Sequence, residues 1–368
     1  MSLSIGIVGL PNVGKSTLFN ALTEQSVPAE NYPFCTIDPA VGVVAVPDIR
    51  LQRLAEFSDS KKTVPAAAQF VDIAGLIKGA SEGEGLGNAF LSNVREVDVI
   101  LHLVRTFEDD DIIHVSGIVD PRNDVETINL ELIMADLQVA QKRLVKLEKD
   151  VKSGDKKAAA ESDLLKRVIS TLEEGRFVSA MELTPEESEL IRHLNFLTQK
   201  SMLYVFNKRS GALNITEVTD ERLPSLMSAI EYNTPDAQIL EIDAGVELEM
   251  AGLSEEERRE FRTNLSGEDS SGIEDVIKYG YDLLGLITFF TSGEKETRAW
   301  NIPVGASAPE AGKVIHSDFH DKFIKADVIE WNKLLEHGSR SIAREKGAIR
   351  TEGKQYIVKD GDVIEFKI

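Results

Sequence analysis

The stretch Gly9-Leu10-Pro11-Asn12-Val13-Gly14-Lys15-Ser16 constrains this chain more tightly than any other. The apolar run Ser4-Ile5-Gly6-Ile7-Val8 precedes it and reads as a strand; Ser16-Thr17-Leu18-Phe19-Asn20-Ala21-Leu22 follows and reads as a helix. A strand, a glycine loop and a helix N-terminus in that order form a nest of backbone N–H groups suited to phosphate. Glycines at 9 and 14 let the backbone curl close to an anion. The pattern G-x-x-x-x-G-K-[ST] makes Asn12, Val13, Gly14, Lys15, Ser16 and Thr17 the candidate phosphate-binding set. Lys15 would reach the β- and γ-phosphates, and the Ser16 hydroxyl would hold Mg²⁺. A glycine-rich turn with no ligand is the plain alternative.

Further apolar runs at 41–46, 69–71, 99–104, 202–206 and 239–242 alternate with helical stretches. That alternation predicts a mostly parallel sheet with helices on both faces, an α/β P-loop NTPase fold. Between Asn129 and Tyr204 the chain reads as helical. Ile133, Leu137, Ala140, Leu144, Leu147 and Val151 are spaced 4-3-4-3-4, the seam of a coiled coil. Ser153-Gly154-Asp155 breaks it, and Leu165, Val168 and Leu172 line a second helix. Thr184-Pro185-Glu186-Glu187 is a capping box, and Ser254-Glu255-Glu256-Glu257 repeats the device. From Gly285 the texture changes. A hairpin is predicted over Thr288–Thr291 and Thr297–Trp300, a helix over 326–337, and a second hairpin over 355–358 and 363–366 around Asp360-Gly361. Two hairpins around one helix suggest a β-grasp unit. The expected division is a P-loop domain at 1–127 and 200–280, an inserted helical coiled-coil domain at 128–199, and a β-grasp domain at 281–368.

Composition limits the partners. The net charge is −21, which argues against a nucleic-acid-coated surface. Residues 285–368 hold 13 basic and 13 acidic side chains, so a polyanion meets least repulsion there. No apolar run approaches the roughly 20 residues of a membrane span. The single cysteine, Cys35, rules out an internal disulfide, and a cytoplasmic setting is expected.

Later signals narrow the reaction. Thr36 lies in the polar loop Asn31-Tyr32-Pro33-Phe34-Cys35-Thr36 and suits a first switch that completes Mg²⁺ coordination. In Asp72-Ile73-Ala74-Gly75 the acid would hold Mg²⁺ through water and the Gly75 N–H would read the γ-phosphate. Glycines at 79, 83, 85 and 87 suit a second switch. Leu76 stands where a small GTPase carries a water-orienting glutamine, and leucine can form no hydrogen bond there. His114 or a bound cation could substitute, although a surface-loop histidine is the plainer reading of His114. Lys78 and Arg95 are candidate charge-neutralising fingers, with ordinary solvated bases the plainer reading. Asn207-Lys208-Arg209-Ser210 replaces the guanine-reading N-K-x-D. Ser210 is uncharged, so adenine should be admitted. Asn207 would contact the base or tie the P-loop, with Lys208 beside it, and Ala244 in Asp243-Ala244-Gly245 would touch the base through backbone.

Together these residues resemble the YchF/Obg-like ATPases, a branch of the Obg-type translation-factor GTPases. The resemblance rests on residues 9–17, Asn31-Tyr32-Pro33-Phe34, Asp72–Leu76, Gly83-Glu84-Gly85-Leu86-Gly87-Asn88, Thr288–Glu296, Ile315–Phe319 and Asp360–Ile364. It implies that the C-terminal β-grasp unit is a TGS domain. It also implies slow hydrolysis of ATP in preference to GTP, and association of a monomer with the ribosome (50S or 70S) through the TGS and helical domains. Asn12 matches an asparagine that helps bind K⁺ in similar NTPases, and a K⁺ there would supply part of the missing positive charge. His114 matches a family histidine proposed to assist hydrolysis. The family's fourth motif is N-x-x-E, which Ser210 departs from. A GTPase with a degenerate fourth motif, and a nucleotide-gated binding module with negligible turnover, are the competing readings.

Overall fold

The computed structural model describes residues 3–24, 40–73, 88–115, 117–235, 237–253, 257–258 and 272–368. They form two compact units. One holds residues 3–24, 40–42 and the described residues from 69 to 276; the other holds 43–68 and 277–368.

A six-stranded sheet runs through the first unit, although residues 43–45 and 67–68 of its strands are counted with the second. Its strands are β1 (Ser4–Val8), β2 (Val41–Ala45), β3 (Ala67–Asp72), β4 (Val99–Arg105), β5 (Ser201–Asn207) and β6 (Gln238–Ile242), in the order β2-β3-β1-β4-β5-β6. β1 pairs in parallel with β3 and β4, and β5 in parallel with β4 and β6. Every residue of β1 and β4 is buried, as expected of strands covered on both faces. All six predicted strands are present. Their register brings the carboxyl ends of β1, β3, β4, β5 and β6 to one edge of the sheet, where an open α/β fold binds ligands.

Helix α1 (Lys15–Thr23) leaves that edge directly after β1. The helical insert begins with α2 (Pro121–Lys152), which starts earlier than the seam suggests: Asp120 caps it and Pro121 takes the first position. Its 32 residues extend about 48 Å. Gly154, at φ 88°, turns the chain into α3 (Lys156–Glu173), whose cap is Asp155. Ile133, Ala140 and Leu147 of α2 pack with Leu165, Val168 and Leu172 of α3 in one buried cluster that also holds β4 and β5 side chains. The insert and the sheet thus share one core. The return segment is held by Asp136, fully buried on α2, whose carboxylate accepts from Leu197 N (3.0 Å), Thr198 N (2.8 Å) and Thr198 Oγ1 (2.8 Å). The capping box at Thr184 forms as predicted. Ser254–Glu256 lie outside the described residues.

In the second unit, residues 43–68 pack with 277–368, although the sequence assigns them to the P-loop domain. The reasons are contacts with residues far along the chain. Arg50, in helix Ile49–Phe57, pairs with Asp360 and lies 5.3 Å over the Phe290 ring. Ser58 Oγ meets Ser292 Oγ at 2.6 Å, and Thr63–Val64 joins Thr297–Pro303 as a parallel edge strand. The hairpin Leu286–Thr291 with Thr297–Pro303 is present. Two other expectations fail. Lys325–Glu330 is a strand and only Trp331–Glu336 is helical, because Ala326 and Val328 alternate with more exposed neighbours, a period of two. Residues 355–358 form no strand beyond a bridge at Ile357. The strand Asp362–Lys367 pairs with Lys325–Glu330 instead.

Candidate nucleotide site

The loop after β1 is shaped by two close approaches. Gly9 has φ 152°, and a Cβ there would lie 2.5 Å from the Leu103 carbonyl oxygen; Gly14 has φ 100°, and a Cβ there would lie 2.4 Å from Asn207 Nδ2. Both positions therefore need glycine. Gly14 caps α1 with no side-chain hydrogen bond, so the helix's first amides have no partner within the helix.

Lys15 is 8% exposed, and its Nζ donates to the Leu10 carbonyl at 2.6 Å. Burial pulls its pKa down to about 8, and the nearby Asp72 carboxylate opposes that shift. Ser16 Oγ lies 3.4 Å from Asp72 Oδ2. A hydroxyl beside a carboxylate is the hard-oxygen donor pair that Mg²⁺ prefers, so these residues fit the ion expected of a P-loop NTPase. Thr36 and Gly75 lie outside the described residues, as do Cys35, Leu76, Lys78 and the glycines at 79–87.

Beside this cluster opens a pocket of about 410 Å³. Asn12, Gly14, Thr17, Asn207, Lys208 and Ala244 line it, so the structure brings together most of the expected nucleotide set. Val13 is buried behind the loop at 1% exposure. Asn207, 5% exposed, donates from Nδ2 to the Val13 carbonyl (2.8 Å) and accepts at Oδ1 from Ala244 N (3.0 Å). Of its two expected roles, the tie to the P-loop is the one its amide performs. The same bond occupies the Ala244 N–H, so Ala244 reaches the pocket without a free amide. Lys208 is held by its N–H on the Ile242 carbonyl, and its Nζ is 3.4 Å from Glu217. Ser210 donates its N–H to Asp243 Oδ2 at 2.6 Å. Asp243 Oδ1 also caps helix α4 (Ala244–Ala251), accepting from Gly245 N and Val246 N.

His114 is not a surface-loop residue. It is 5% exposed, its Nε2 lies 2.9 Å from Asp124 Oδ2 in the first turn of α2, and it is not among the side chains lining the pocket. Burial pushes the Asp124 carboxyl up, and the His114 contact offsets this. Its neighbour Ile113 accepts a 3.1 Å bond from Asn12 Nδ2, Asn12 being in the left-handed region at φ 63°. Arg95 donates to the Asn195 carbonyl and stands 3.8 Å from Asp136, a structural position.

The sequence reading missed Phe107 and Ile112, which form part of the pocket wall, and Arg105, which holds them. A basic residue closing a seven-residue apolar strand was the available signal.

Comparison with known proteins fits this geometry. Residues 4–142 match the MMR_HSR1 model, described as a 50S ribosome-binding GTPase. Residues 286–368 match the YchF-GTPase_C model, described as a protein of unknown function (DUF933). The chain is 48% identical to the ribosome-binding ATPase YchF of Bacillus subtilis, across 100% of this chain and 99% of that one. It is likewise 48% identical to the protein of that name from Escherichia coli O157:H7, over the same shares. The solved structure of the Schizosaccharomyces pombe YchF GTPase superposes with a TM-score of 0.89 at 37% identity, covering 100% of this chain and 98% of that one. Similarity of this extent, from the P-loop to the last strand, means that the chain belongs to the YchF family.

Proposed function

We propose that this protein is a Mg²⁺-dependent ATPase that associates with the ribosome and accepts GTP more weakly. The observation that carries the base preference is Ser210: where guanine readers carry an aspartate, this chain has an uncharged side chain whose backbone N–H is held by Asp243. The relatives' printed names, ribosome-binding ATPase, support the same reading.

In this scheme the amides of Asn12–Thr17 cradle the phosphates, and the Lys15 ammonium neutralises their developing charge. Ser16, Thr36 and Asp72 are the residues that would hold Mg²⁺, which when bound draws charge off the β- and γ-phosphate oxygens. Gly75 senses the γ-phosphate through its N–H. Asn207, Lys208 and Ala244 bound the base side. The Asn12 side-chain oxygen is the donor that an accessory K⁺ would take. His114 assists hydrolysis only once its bond to Asp124 parts, because its Nε2 is engaged there. The C-terminal unit and the helical insert provide the 50S or 70S contact, with the protein acting as a cytoplasmic monomer. Among the described residues, no helix is long and apolar enough to cross a membrane.

Steady-state phosphate release with ATP and with GTP, in Na⁺ and in K⁺, tests the reading. Faster turnover of ATP, stimulated by K⁺ and lost in Lys15→Ala, is expected. A clear preference for GTP would favour the second reading, a GTPase with a relaxed fourth motif; the solved Schizosaccharomyces pombe relative is named a GTPase.

A further inference from the structure

We propose that Arg105 is a positioning residue that sets the base-side wall of the nucleotide pocket. The inference rests on the reading of that pocket as the nucleotide site. Arg105 ends β4 and is 1% exposed. Its guanidinium donates to three carbonyls of the following loop: Nε to Phe107 (3.0 Å), Nη1 to Ile112 (2.9 Å) and Nη2 to Asp109 (3.3 Å). It also lies 4.5 Å over the Phe107 ring. Phe107 and Ile112 are wall residues of the pocket.

A buried cation bonded to carbonyls is a demanding arrangement, because most of its hydration is lost. Burial lowers its pKa, and the nearby carboxylates of Asp109 and Asp124 offset that cost in part, against the neighbouring Arg209. The fork then does what a single point charge cannot: three donors in fixed directions set the spacing between Phe107 and Ile112. Asp109 is anchored from outside as well, by an ion pair with Arg209, another pocket residue. The loop that bounds the base is thus pinned from within, while the phosphate cradle meets that loop through Asn12 Nδ2 on the Ile113 carbonyl and is tied to β5 by Asn207 on the Val13 carbonyl.

The test uses the full chain with Arg105→Met and Arg105→Lys, reading ATP turnover and inhibition by inorganic tripolyphosphate, which has no base. Arg105→Met should raise KM for ATP roughly tenfold with kcat within about twofold, the mark of lost uniform binding. Tripolyphosphate inhibition should stay within about twofold of the parent, and Arg105→Lys should fall between. Parallel loss of ATP and tripolyphosphate binding, a fall in kcat alone, or no change in either variant would overturn the proposal. If Arg105→Met does not fold, Arg105→Lys is judged by the same criteria. A parent protein that binds no nucleotide would instead refute the pocket's reading.

Discussion

Replacing Asn207 by alanine separates tying the P-loop from reading the base. The Asn207 amide bridges Val13 O at 2.8 Å and Ala244 N at 3.0 Å in a site where the residue is 5% exposed. The alanine variant leaves a carbonyl and an N–H buried without partners. Each such group costs about 1–3 kcal/mol, so the variant should lose about 2–6 kcal/mol of stability. The Gly14 turn, whose backbone passes against Nδ2, also loses its support. Because the tie is independent of the base, affinity for ATP and GTP should fall together, with their ratio held within about twofold. Urea unfolding and titration calorimetry with both nucleotides measure these quantities. Unchanged stability, or a loss confined to one nucleotide, would refute the reasoning.

Three further outcomes follow from other contacts. Ser210→Asp should strengthen GTP relative to ATP by about tenfold or more, read from paired dissociation constants; an unchanged ratio would place base selection elsewhere. Lys15 carries a pKa lowered to about 8, so without nucleotide the folded chain holds fewer protons than the unfolded chain between pH 8 and 10.5. Its contribution to stability therefore rises with pH across that window, while nucleotide affinity should fall about tenfold per unit above pH 8, with proton uptake visible in calorimetry across buffers. Asp136→Ala should cost about 3–5 kcal/mol by stranding the amides at 197 and 198, and Asp136→Asn less; equal small losses in urea unfolding would contradict the anchoring role.

The first unit was legible because its strands are short apolar runs and its helix breaks are local: Ser153-Gly154-Asp155 separates α2 from α3 and Thr184 caps a later helix, whereas the Asp120 cap that starts α2 went unread. The P-loop was legible for the same reason, being local. What escaped depends on distant partners. Lys325–Glu330 has a helix-compatible composition and becomes a strand because two neighbours pair with it. Residues 43–68 join the second unit through Arg50 and Ser58, whose partners lie more than two hundred residues away. His114 looked like an acidic-loop residue until Asp124 was seen to face it. Asp136 escaped as well, because the amides it holds, at Leu197 and Thr198, lie 61 and 62 residues further along the chain.

The most direct test of the whole account is titration of the full chain with MgATP and MgGTP, with Lys15→Ala alongside. The account predicts one site per chain, tighter for ATP, and no measurable heat in the variant. Tighter binding of GTP, or undiminished binding by Lys15→Ala, would contradict it.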